Sequence, residues 1–284
     1  MPELSIVIPT YKRSKILRKC LEHLEAQTVA DQIEVIVVSD GHDFMAEDVV
    51  KKNDWKIPVK YFEVKKSQQG VARNKGVKEA SSPITLFIGD DSFLQPDACE
   101  KHLIAHNLNP NSAVLGFTTW DPDLEVTPVM KWLEKGGWQF GYPMIEKYAH
   151  KFLPEPIQHR FTYTIHLSLP TKAAKLHPFR EDVTMYGWED TEFGMRLRKS
   201  GIRLMYEPDA KAFHHHPITL EESLKRMETL GVSVMKFAKT IPNFDRVPRG
   251  LKRIAYNLMA MMPTMAGKHR KAFLRGMKRE RNSK

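Results

Sequence analysis

Two pairs of adjacent carboxylates are the residues of this chain whose types and spacing best suit chemistry. Asp90-Asp91 follows the apolar run Ile84–Ile88, and Glu189-Asp190 opens an amphipathic helical stretch. Open α/β sheets bind phosphates and metals at strand ends, whereas a carboxylate at a helix start is also favoured by the helix dipole alone. Together the pairs predict a metal-bound leaving group on one side and a general base on the other.

Alternating strands and helices are predicted to position these residues. Apolar runs predict strands over 4–8, 33–38, 59–64 and 84–88, and helical spacing predicts helices from Ser14 and over 70–80. Because the strands show little alternation of apolar and polar residues, we expect an α/β fold with a mostly parallel sheet covered on both faces. Thr10, Asp40 and Asp91 would then meet at the carboxyl edge, where nucleotides bind in such sheets.

Composition excludes several classes of protein. The 284 residues, 42% of them hydrophobic, are enough for one large domain or a domain with an appendage. The two cysteines, Cys20 and Cys99, give neither zinc spacing nor a disulfide framework, and they suit a reducing compartment. The start of the chain lacks the pattern of a signal peptide, and no apolar run is long enough to span a bilayer. We therefore expect a cytoplasmic protein, with the inner face of the membrane as the alternative.

The net charge of +10 is concentrated at the C-terminus. Residues 246–284 hold twelve Lys and Arg against Glu280 alone, so the rest of the chain is nearly neutral and no nucleic-acid partner is expected. Thr219 and Glu222 predict a capping box, and apolar spacing predicts amphipathic helices after it. This basic extension, 217–284, is expected either to lie on an anionic membrane surface or to pack on the rest of the chain.

Five motifs resemble those of family 2 glycosyltransferases and occur in the same order. They are Ile6-Val7-Ile8-Pro9-Thr10-Tyr11-Lys12-Arg13, Glu34-Val35-Ile36-Val37-Val38-Ser39-Asp40-Gly41, Ala72-Arg73-Asn74, Phe87-Ile88-Gly89-Asp90-Asp91 and Trp188-Glu189-Asp190-Thr191-Glu192. The resemblance covers roughly residues 3 to 216. It implies a GT-A fold, a Rossmann-like nucleotide-binding half of about 1–110 joined to an acceptor-binding half of about 111–216.

The resemblance implies a binding site for a nucleotide sugar. Asp40 would hydrogen-bond the nucleobase, in a pocket lined by Pro9 and Thr10, although an Asp before a Gly is also common in turns. Arg73 would meet the diphosphate or the adjoining acidic site, with Asn74 beside it. The alternative for these two residues is a solvated helix face.

The resemblance also implies a divalent cation, Mn²⁺ or Mg²⁺, at the acidic pair Asp90-Asp91. Asp91 would ligate the metal and Asp90 would contact ribose or a metal-bound water. Gly89 takes a place that the family often fills with Asp, so the number of ligands stays open. Of the run 214–216, we choose His214 rather than His216 as a further ligand.

The resemblance assigns the acid–base chemistry to the last motif. Asp190 would be the general base that takes a proton from the acceptor hydroxyl, and Glu189 would orient the acceptor. Trp188 would form a platform for the acceptor sugar, or else it is a core residue. The aromatic region 120–169 is expected to determine acceptor specificity.

The resulting hypothesis is a metal-dependent, inverting glycosyltransferase. It would move a sugar from a nucleoside-diphosphate donor, expected to be UDP-linked, to a glycan or lipid-linked acceptor, as in the synthesis of a cell-envelope polysaccharide. A nucleotidyltransferase, which would release pyrophosphate, is the enzymatic alternative. A protein that binds nucleic acid through the basic tail and a catalytically silent binder of nucleotide sugars are the non-enzymatic ones.

Overall fold

The computed structural model describes residues 1–182, 186–241 and 244–283. The chain forms two compact units. The first comprises Met1–Thr184 and Glu189–Pro217, and the second comprises Met185–Trp188 and Ile218–Lys284.

The first unit is built on one sheet, ordered β3-β2-β1-β4-β8-β6-β9-β5, with β7 paired to β9. The strands are β1 (Leu4–Thr10), β2 (Ile33–Asp40), β3 (Val59–Val64), β4 (Ile84–Ile88), β5 (Ser92–Leu94), β6 (Ala113–Trp120), β7 (Lys151–Phe152), β8 (His166–Pro170) and β9 (Leu204–His214). β1 to β4 are parallel, and β6 and β9 run in the same direction across the intervening antiparallel β8. The predicted mostly parallel sheet is thus confirmed.

Both units contain helices, and those up to Lys199 connect the strands of the first unit and cover both faces of its sheet. The helices are α1 (Ser14–Glu25), α2 (Phe44–Lys51), α3 (Gln69–Glu79), α4 (Ala98–Leu108), α5 (Pro128–Lys135), α6 (Tyr142–Ile145), α7 (Glu155–Gln158), α8 (Thr171–Leu176), α9 (Glu189–Lys199), α10 (Leu220–Thr240), α11 (Gly250–Ala260) and α12 (Met265–Asn282), with 3₁₀ turns at Ala30–Gln32, Glu146–Tyr148 and His159–Phe161. Among the described residues, none of these helices is both long and apolar enough to cross a bilayer.

The central strands are buried on both sides, as their continuous apolar character predicts. In β1, Ile6 and Ile8 belong to the core cluster under α1 and α2, whereas Val7 belongs to the cluster on the opposite face, under α3. Gly76 lets α3 approach this strand, because a Cβ there would lie 2.3 Å from Val7 Cγ1. This tight packing fixes the ends of the strands, where the candidate site lies.

The predicted elements match the structure closely, with small differences at their ends. β1 and β2 each extend two residues beyond the apolar run, to Thr10 and Asp40, which places these two polar residues inside the sheet. Ser14 does not cap α1. Arg13 occupies the N-cap position, and its side chain makes no capping bond, because a guanidinium has no acceptor for a backbone N–H.

The second unit is helical. The predicted capping box at the start of α10 is present, with reciprocal bonds between Thr219 and Glu222. α10 and α12 cross very closely at Gly231 and Gly276, where an added Cβ would lie 2.0 Å from a carbonyl oxygen of the other helix. α11, in contrast, has no buried residue.

Candidate functional site

The acidic pair after β4 meets the end of β1. Thr10 Oγ1 donates to Asp90 Oδ2 at 2.7 Å. Arg13 bridges the pair, since its Nη1 donates to Asp90 Oδ1 at 2.8 Å and its Nη2 to Asp91 Oδ2 at 2.9 Å. Both carboxylates are buried. Thr10 therefore meets the acidic pair through Asp90, whereas Asp40, which was expected to meet Thr10 and Asp91, has Lys66 and Ser67 as its partners.

Two histidines from the end of β9 reach the same acidic pair. β5 and β9 are antiparallel with Ser92 opposite His214, and the amide of His215 donates to the Asp91 carbonyl at 2.8 Å. His214 Nε2 and His216 Nδ1 each lie 3.5 Å from Asp91 Oδ2. Both imidazoles thus face the same oxygen, and the choice of His214 over His216 stays a prediction.

The electrostatics distinguish the two carboxylates. Burial raises the pKa of Asp91, but His214, His216 and Arg13 outweigh this effect and hold it well below its ordinary value. Burial, together with the charge of Asp91, raises the pKa of Asp90 to about 7. Asp91 is therefore the more strongly ionised of the two, which suits it to bind a cation.

This cluster fits a divalent metal. One oxygen or nitrogen from each of Asp91, His214 and His216 lies within 4.8 Å of the others. His214 Nδ1 is buried with no hydrogen-bond partner among the described residues, and its ring is held between Trp120, stacked at 5.5 Å, and Phe140 at 5.8 Å. A carboxylate with two imidazoles suits Mn²⁺ better than Mg²⁺, which prefers oxygen ligands.

The packing around Gly89 explains why this position has no side chain. A Cβ at this position would lie 2.6 Å from Asp91 Oδ1 and 3.4 Å from Ile165. A side chain here would therefore displace the carboxylate that faces the two histidines.

Asp40 lies at the end of β2 in a separate polar pocket. Its Oδ2 pairs with Lys66 Nζ at 2.8 Å, and its Oδ1 accepts from the amide of Ser67 at 2.8 Å. The Lys66 ammonium lies 3.7 Å above the Tyr11 ring. Pro9 is the second-last residue of β1 and lies opposite Val38 of β2. Lys66 and Tyr11 were missed from the sequence, although Tyr11 belongs to a quoted motif.

The second acidic pair opens α9 and lies beside Arg73. Glu189 Oε1 accepts from Gln69 Nε2 at 2.6 Å, while its Oε2 is buried without a partner among the described residues. Burial, together with Asp190, raises the pKa of Glu189. Asp190 accepts from the Thr164 hydroxyl at 2.6 Å and from its amide at 3.1 Å.

Arg73 is a buried cation with spare donors. Its Nη2 donates to Gln69 at 3.3 Å, and Nε and Nη1 have no partner among the described residues. Burial lowers the pKa of Arg73, against the charges of Asp190 and Glu189. Asn74 contacts the backbone of Phe179, since its side chain donates to the carbonyl at 2.8 Å and accepts from the amide at 2.7 Å.

The antiparallel pairing of β4 with β8 brings the two acidic pairs to one edge. Ile88 lies opposite His166, so Gly89 packs beside Ile165, which is the neighbour of Thr164. Thr164 in turn holds Asp190. No local sequence pattern points to Thr164, since its role depends on the register of two distant strands.

Trp188 belongs to the second unit. Its indole N–H donates to the Leu230 carbonyl at 3.2 Å, and its ring lies edge-on to Phe244. These contacts match the core alternative for this residue more closely than a free platform for a sugar.

An aromatic cavity of about 420 Å³ lies in the region predicted to bind the acceptor. Its walls come mainly from β6, α5, α6 and β9 and include Phe117, Trp120, Phe140, Tyr142, Glu146 and Tyr206. Trp120 and Phe140 also contact the His214 ring, so this cavity adjoins the candidate metal cluster.

Comparison with known proteins identifies the family. The family model described as Glycosyl transferase family 2 matches residues 5–167. Validoxylamine A glucosyltransferase of Streptomyces hygroscopicus subsp. jinggangensis (strain 5008) is 31% identical over 238 residues, which cover 71% of this chain and 53% of that protein. Chondroitin synthase of Escherichia coli is 27% identical over 269 residues, covering 86% and 39%. The chain spans about half the length of the first of these relatives.

Solved structures share the fold. S. aureus TarS 1-349 in complex with UDP-GlcNAc gives a TM-score of 0.61 at 16% identity, covering 84% of this chain and 67% of that one. Mannosyltransferase PcManGT from Pyrobaculum calidifontis, in complex with GDP-Man and Mn²⁺, gives 0.60 at 15%, covering 95% and 74%. These likenesses confirm the GT-A fold. Because the family model spans more than half of the chain, the chain belongs to glycosyl transferase family 2.

Proposed function

We propose that this chain is a metal-dependent, inverting glycosyltransferase that uses a UDP-linked sugar. The observation that carries the proposal is the convergence of the Asp91–His214–His216 cluster and the Thr164-bound Asp190 on one sheet edge. Family membership supports transfer of a sugar, and related folds bind UDP-GlcNAc or GDP-Man.

The metal would be held by Asp91, His214 and His216, where it supplies a Lewis acid for the leaving diphosphate. Arg73 has two spare donors, which suit diphosphate oxygens. Asp40 and Lys66 form the end of the site proposed for the nucleobase and ribose, with Pro9 and Thr10 on the adjoining strand. Asn74, whose side chain is bonded to the backbone of Phe179, lies one residue after Arg73 and is kept in the proposed donor site.

Asp190 is the proposed base. As the acceptor oxygen forms its bond to the anomeric carbon, the bond from that carbon to the diphosphate oxygen breaks, and the hydroxyl proton passes to Asp190. Thr164 donates to both carboxylate oxygens, which fixes the direction of the remaining lone pairs. Glu189, with one unpartnered oxygen, is proposed to accept a hydrogen bond from the acceptor.

A donor panel tests this proposal directly. UDP-glucose, UDP-GlcNAc and GDP-mannose are compared by thermal stabilisation with and without Mn²⁺, and the anomeric configuration of any product or hydrolysed sugar is then read by NMR. Mn²⁺-dependent stabilisation by UDP-sugars and an inverted product are expected. Stabilisation by GDP-mannose alone would contradict the UDP assignment, and a retained configuration would contradict single displacement.

The aromatic cavity is the proposed site for a sugar ring of the acceptor. Its volume of about 420 Å³ lies in the range of small-ligand pockets, and aromatic faces with nearby carboxylates suit the apolar face and the hydroxyls of a pyranose. Phe117→Leu should raise the KM for a glycan acceptor while donor affinity is unchanged. Phe44→Leu, at an exposed position on α2, is the matched control, and equal acceptor KM values in both variants would exclude the cavity.

The basic extension supports a second proposal, attachment to an anionic membrane surface. Leu251, Ile254, Leu258, Met261 and Met262 are all exposed and share one stripe of α11 and the turn after it. Tyr256 and Arg253 lie on the other side, where they contact Phe273 and Met277 of α12. The apolar stripe therefore points away from the packed side, and basic amphipathic segments of this kind bind anionic bilayers.

Vesicle co-sedimentation tests whether the exposed apolar stripe of α11 binds a membrane or is only in contact with solvent. Leu251→Ser with Leu258→Ser should abolish binding to phosphatidylglycerol-containing vesicles without changing stabilisation by nucleotide sugars. Leu108→Ser with Leu176→Ser changes two equally exposed leucines outside the tail and should leave vesicle binding intact. Equal co-sedimentation of the two double variants would contradict the proposal.

A further inference from the structure

Arg13 occupies the two carboxylates proposed for the metal and the donor. Its guanidinium is bidentate, with one nitrogen on each aspartate at 2.8 and 2.9 Å. Such a planar fork is a strong, geometrically specific partner for carboxylates. The acidic pair is therefore neutralised in part by a cation that belongs to the chain itself.

The oxygen bound by Arg13 is the one that faces the histidines. Asp91 Oδ2 lies 2.9 Å from Arg13 Nη2 and 3.5 Å from both His214 Nε2 and His216 Nδ1. A divalent ion that used this oxygen would meet the positive guanidinium at close range. Binding of the ion and the present position of Arg13 therefore oppose each other.

Arg13 is more exposed to solvent than the two aspartates that it bridges. It stands at the N-cap position of α1, where its side chain is 32% exposed, whereas the Asp90 and Asp91 side chains are only 5% and 10% exposed. Asp90 would keep its bond from Thr10 after Arg13 left. A long side chain at the mouth of the site can turn from the buried acids towards an anion that arrives from solvent.

We propose that Arg13 is an internal counter-cation that competes with the metal for Asp91 while it bridges Asp91 to Asp90, and that it moves to the diphosphate when the donor binds. Without nucleotide, a divalent ion and Arg13 together bring three positive charges to an acidic pair that carries at most two negative charges. A diphosphate supplies the missing negative charge and a new partner for Arg13. Metal and nucleotide therefore bind tightly only together. This inference rests on the proposed function for the role of the diphosphate, but the competition at the acids does not.

The competition is tested with Mn²⁺ alone, by calorimetry and by the EPR signal of the free ion, in the full chain. Removing the positive charge with Arg13→Gln should tighten Mn²⁺ binding about tenfold in the absence of nucleotide, since the charge acts at close range in a buried site. Arg18→Gln, on the same helix but paired with Asn53, is the matched control and should leave Mn²⁺ affinity unchanged. Unchanged or weaker Mn²⁺ binding by Arg13→Gln would overturn the proposal.

A second variant covers the case in which Arg13→Gln does not fold. Arg13→Lys keeps the charge but lacks the planar fork that places one nitrogen on each carboxylate, so it should tighten Mn²⁺ binding by a smaller factor. Affinity equal to the wild type would overturn the bridging role. With Mn²⁺ present, UDP should bind Arg13→Gln more weakly than wild type. If no nucleotide binds even the wild type, the proposed function fails, whereas the Mn²⁺ result alone still decides the competition.

Discussion

Thr164 holds both carboxylate oxygens of Asp190, through its hydroxyl at 2.6 Å and its amide at 3.1 Å. The two residues lie on different elements, since Thr164 precedes β8 and Asp190 is in the first turn of α9. A carboxylate fixed by two donors cannot rotate freely, yet it keeps lone pairs for a further proton or hydroxyl. Such a fixed carboxylate suits a general base, which must point a lone pair at the proton that it takes.

Asp190→Asn should lower sugar transfer by about 10²–10⁴-fold, the usual contribution of a positioned acid or base. The amide preserves the size of the side chain but cannot take the proton of the acceptor. Affinity for nucleotide and Mn²⁺ should be retained, because those contacts are assigned to other residues. Product formation by chromatography and nucleotide binding by calorimetry measure the two effects separately.

A comparison with Glu189→Gln completes this experiment. The Glu189 variant should mainly raise the KM for the acceptor, and Asp31→Asn, an exposed acid in the first unit, should change nothing. If Asp190→Asn transferred sugar at nearly the wild-type rate while Glu189→Gln lost transfer, Glu189 rather than Asp190 would be the general base.

Thr164→Val tests the positioning of Asp190 by removing the hydroxyl while keeping the amide donor and the shape. We expect kcat to fall by about tenfold, the value of one hydrogen bond to a charged group, with little change in the acceptor KM. Thr164→Ser should restore kcat because it returns the hydroxyl. If Thr164→Ser is as slow as Thr164→Val, loss of packing rather than of the hydrogen bond explains the defect.

Asp91→Asn should abolish Mn²⁺-dependent binding of UDP while the fold persists. The amide cannot supply the negative charge that faces His214 and His216. His216→Gln should weaken the same binding by about 10–100-fold, the usual effect of losing a group at a metal site. Thermal stabilisation by UDP with Mn²⁺ or with EDTA measures this dependence. His42→Gln, on the exposed surface, should leave it intact, and equal effects of His42 and His216 would argue against the cluster.

The sequence predicted the sheet and its carboxyl edge because continuous apolar runs, strand-end acids and helix caps are local signals. For this reason Thr10 contacts the acidic pair, through Asp90, whereas Asp40 of the predicted set contacts Lys66 and Ser67 instead. Arg13 was quoted in a motif but given no role, since nothing local shows that its side chain turns back across the end of β4. The family and fold predictions are confirmed, whereas the site assignments stay predictions.

The roles of Thr164 and Trp188 depend on distant partners. The register of β4 with β8 places Thr164, and packing against Leu230 and Phe244 engages Trp188. Likewise, periodicity alone does not distinguish α11 from α12, because both are amphipathic and basic. Their difference comes from the close crossing at Gly276, which α12 makes with α10.

Gly276→Ala should destabilise the second unit by about 1–3 kcal/mol, as overpacking does. Helix propensity alone would give the opposite result, since Ala is intrinsically favoured over Gly in a helix by about 1 kcal/mol. A destabilised variant therefore indicates overpacking. The new Cβ would lie 2.0 Å from the Glu228 carbonyl oxygen, so the helices must separate. Chemical denaturation measures the change, with Lys278→Ala on the same helix as the control. A stabilised Gly276→Ala would show that the helices do not cross this closely.

Stability should fall with acid because three histidines are buried around Ser168. His102 and His106 each lie within 2.8 Å of the Ser168 hydroxyl, and His166 packs against His102 at 5.0 Å. Burial lowers the pKa of His106 and of His166 to about 4 and that of His102 well below its ordinary value.

The direction of this dependence follows from the protons bound in each state. Below about pH 6.5 the unfolded chain protonates these side chains, whereas the folded chain keeps them neutral down to about pH 4. The free energy of unfolding should therefore decrease as the pH falls across this window, by at most about 1.4 kcal/mol per pH unit for each histidine.

Urea denaturation at pH 7.5, 6 and 5 measures the slope of the free energy of unfolding against pH. His106→Gln should make this slope shallower by the equivalent of about one proton. His42→Gln should leave the fall in place, because the pKa of exposed His42 is raised through its bond to Glu63. A stability that is constant from pH 7.5 to 5 would mean that the cluster opens to solvent in the folded protein.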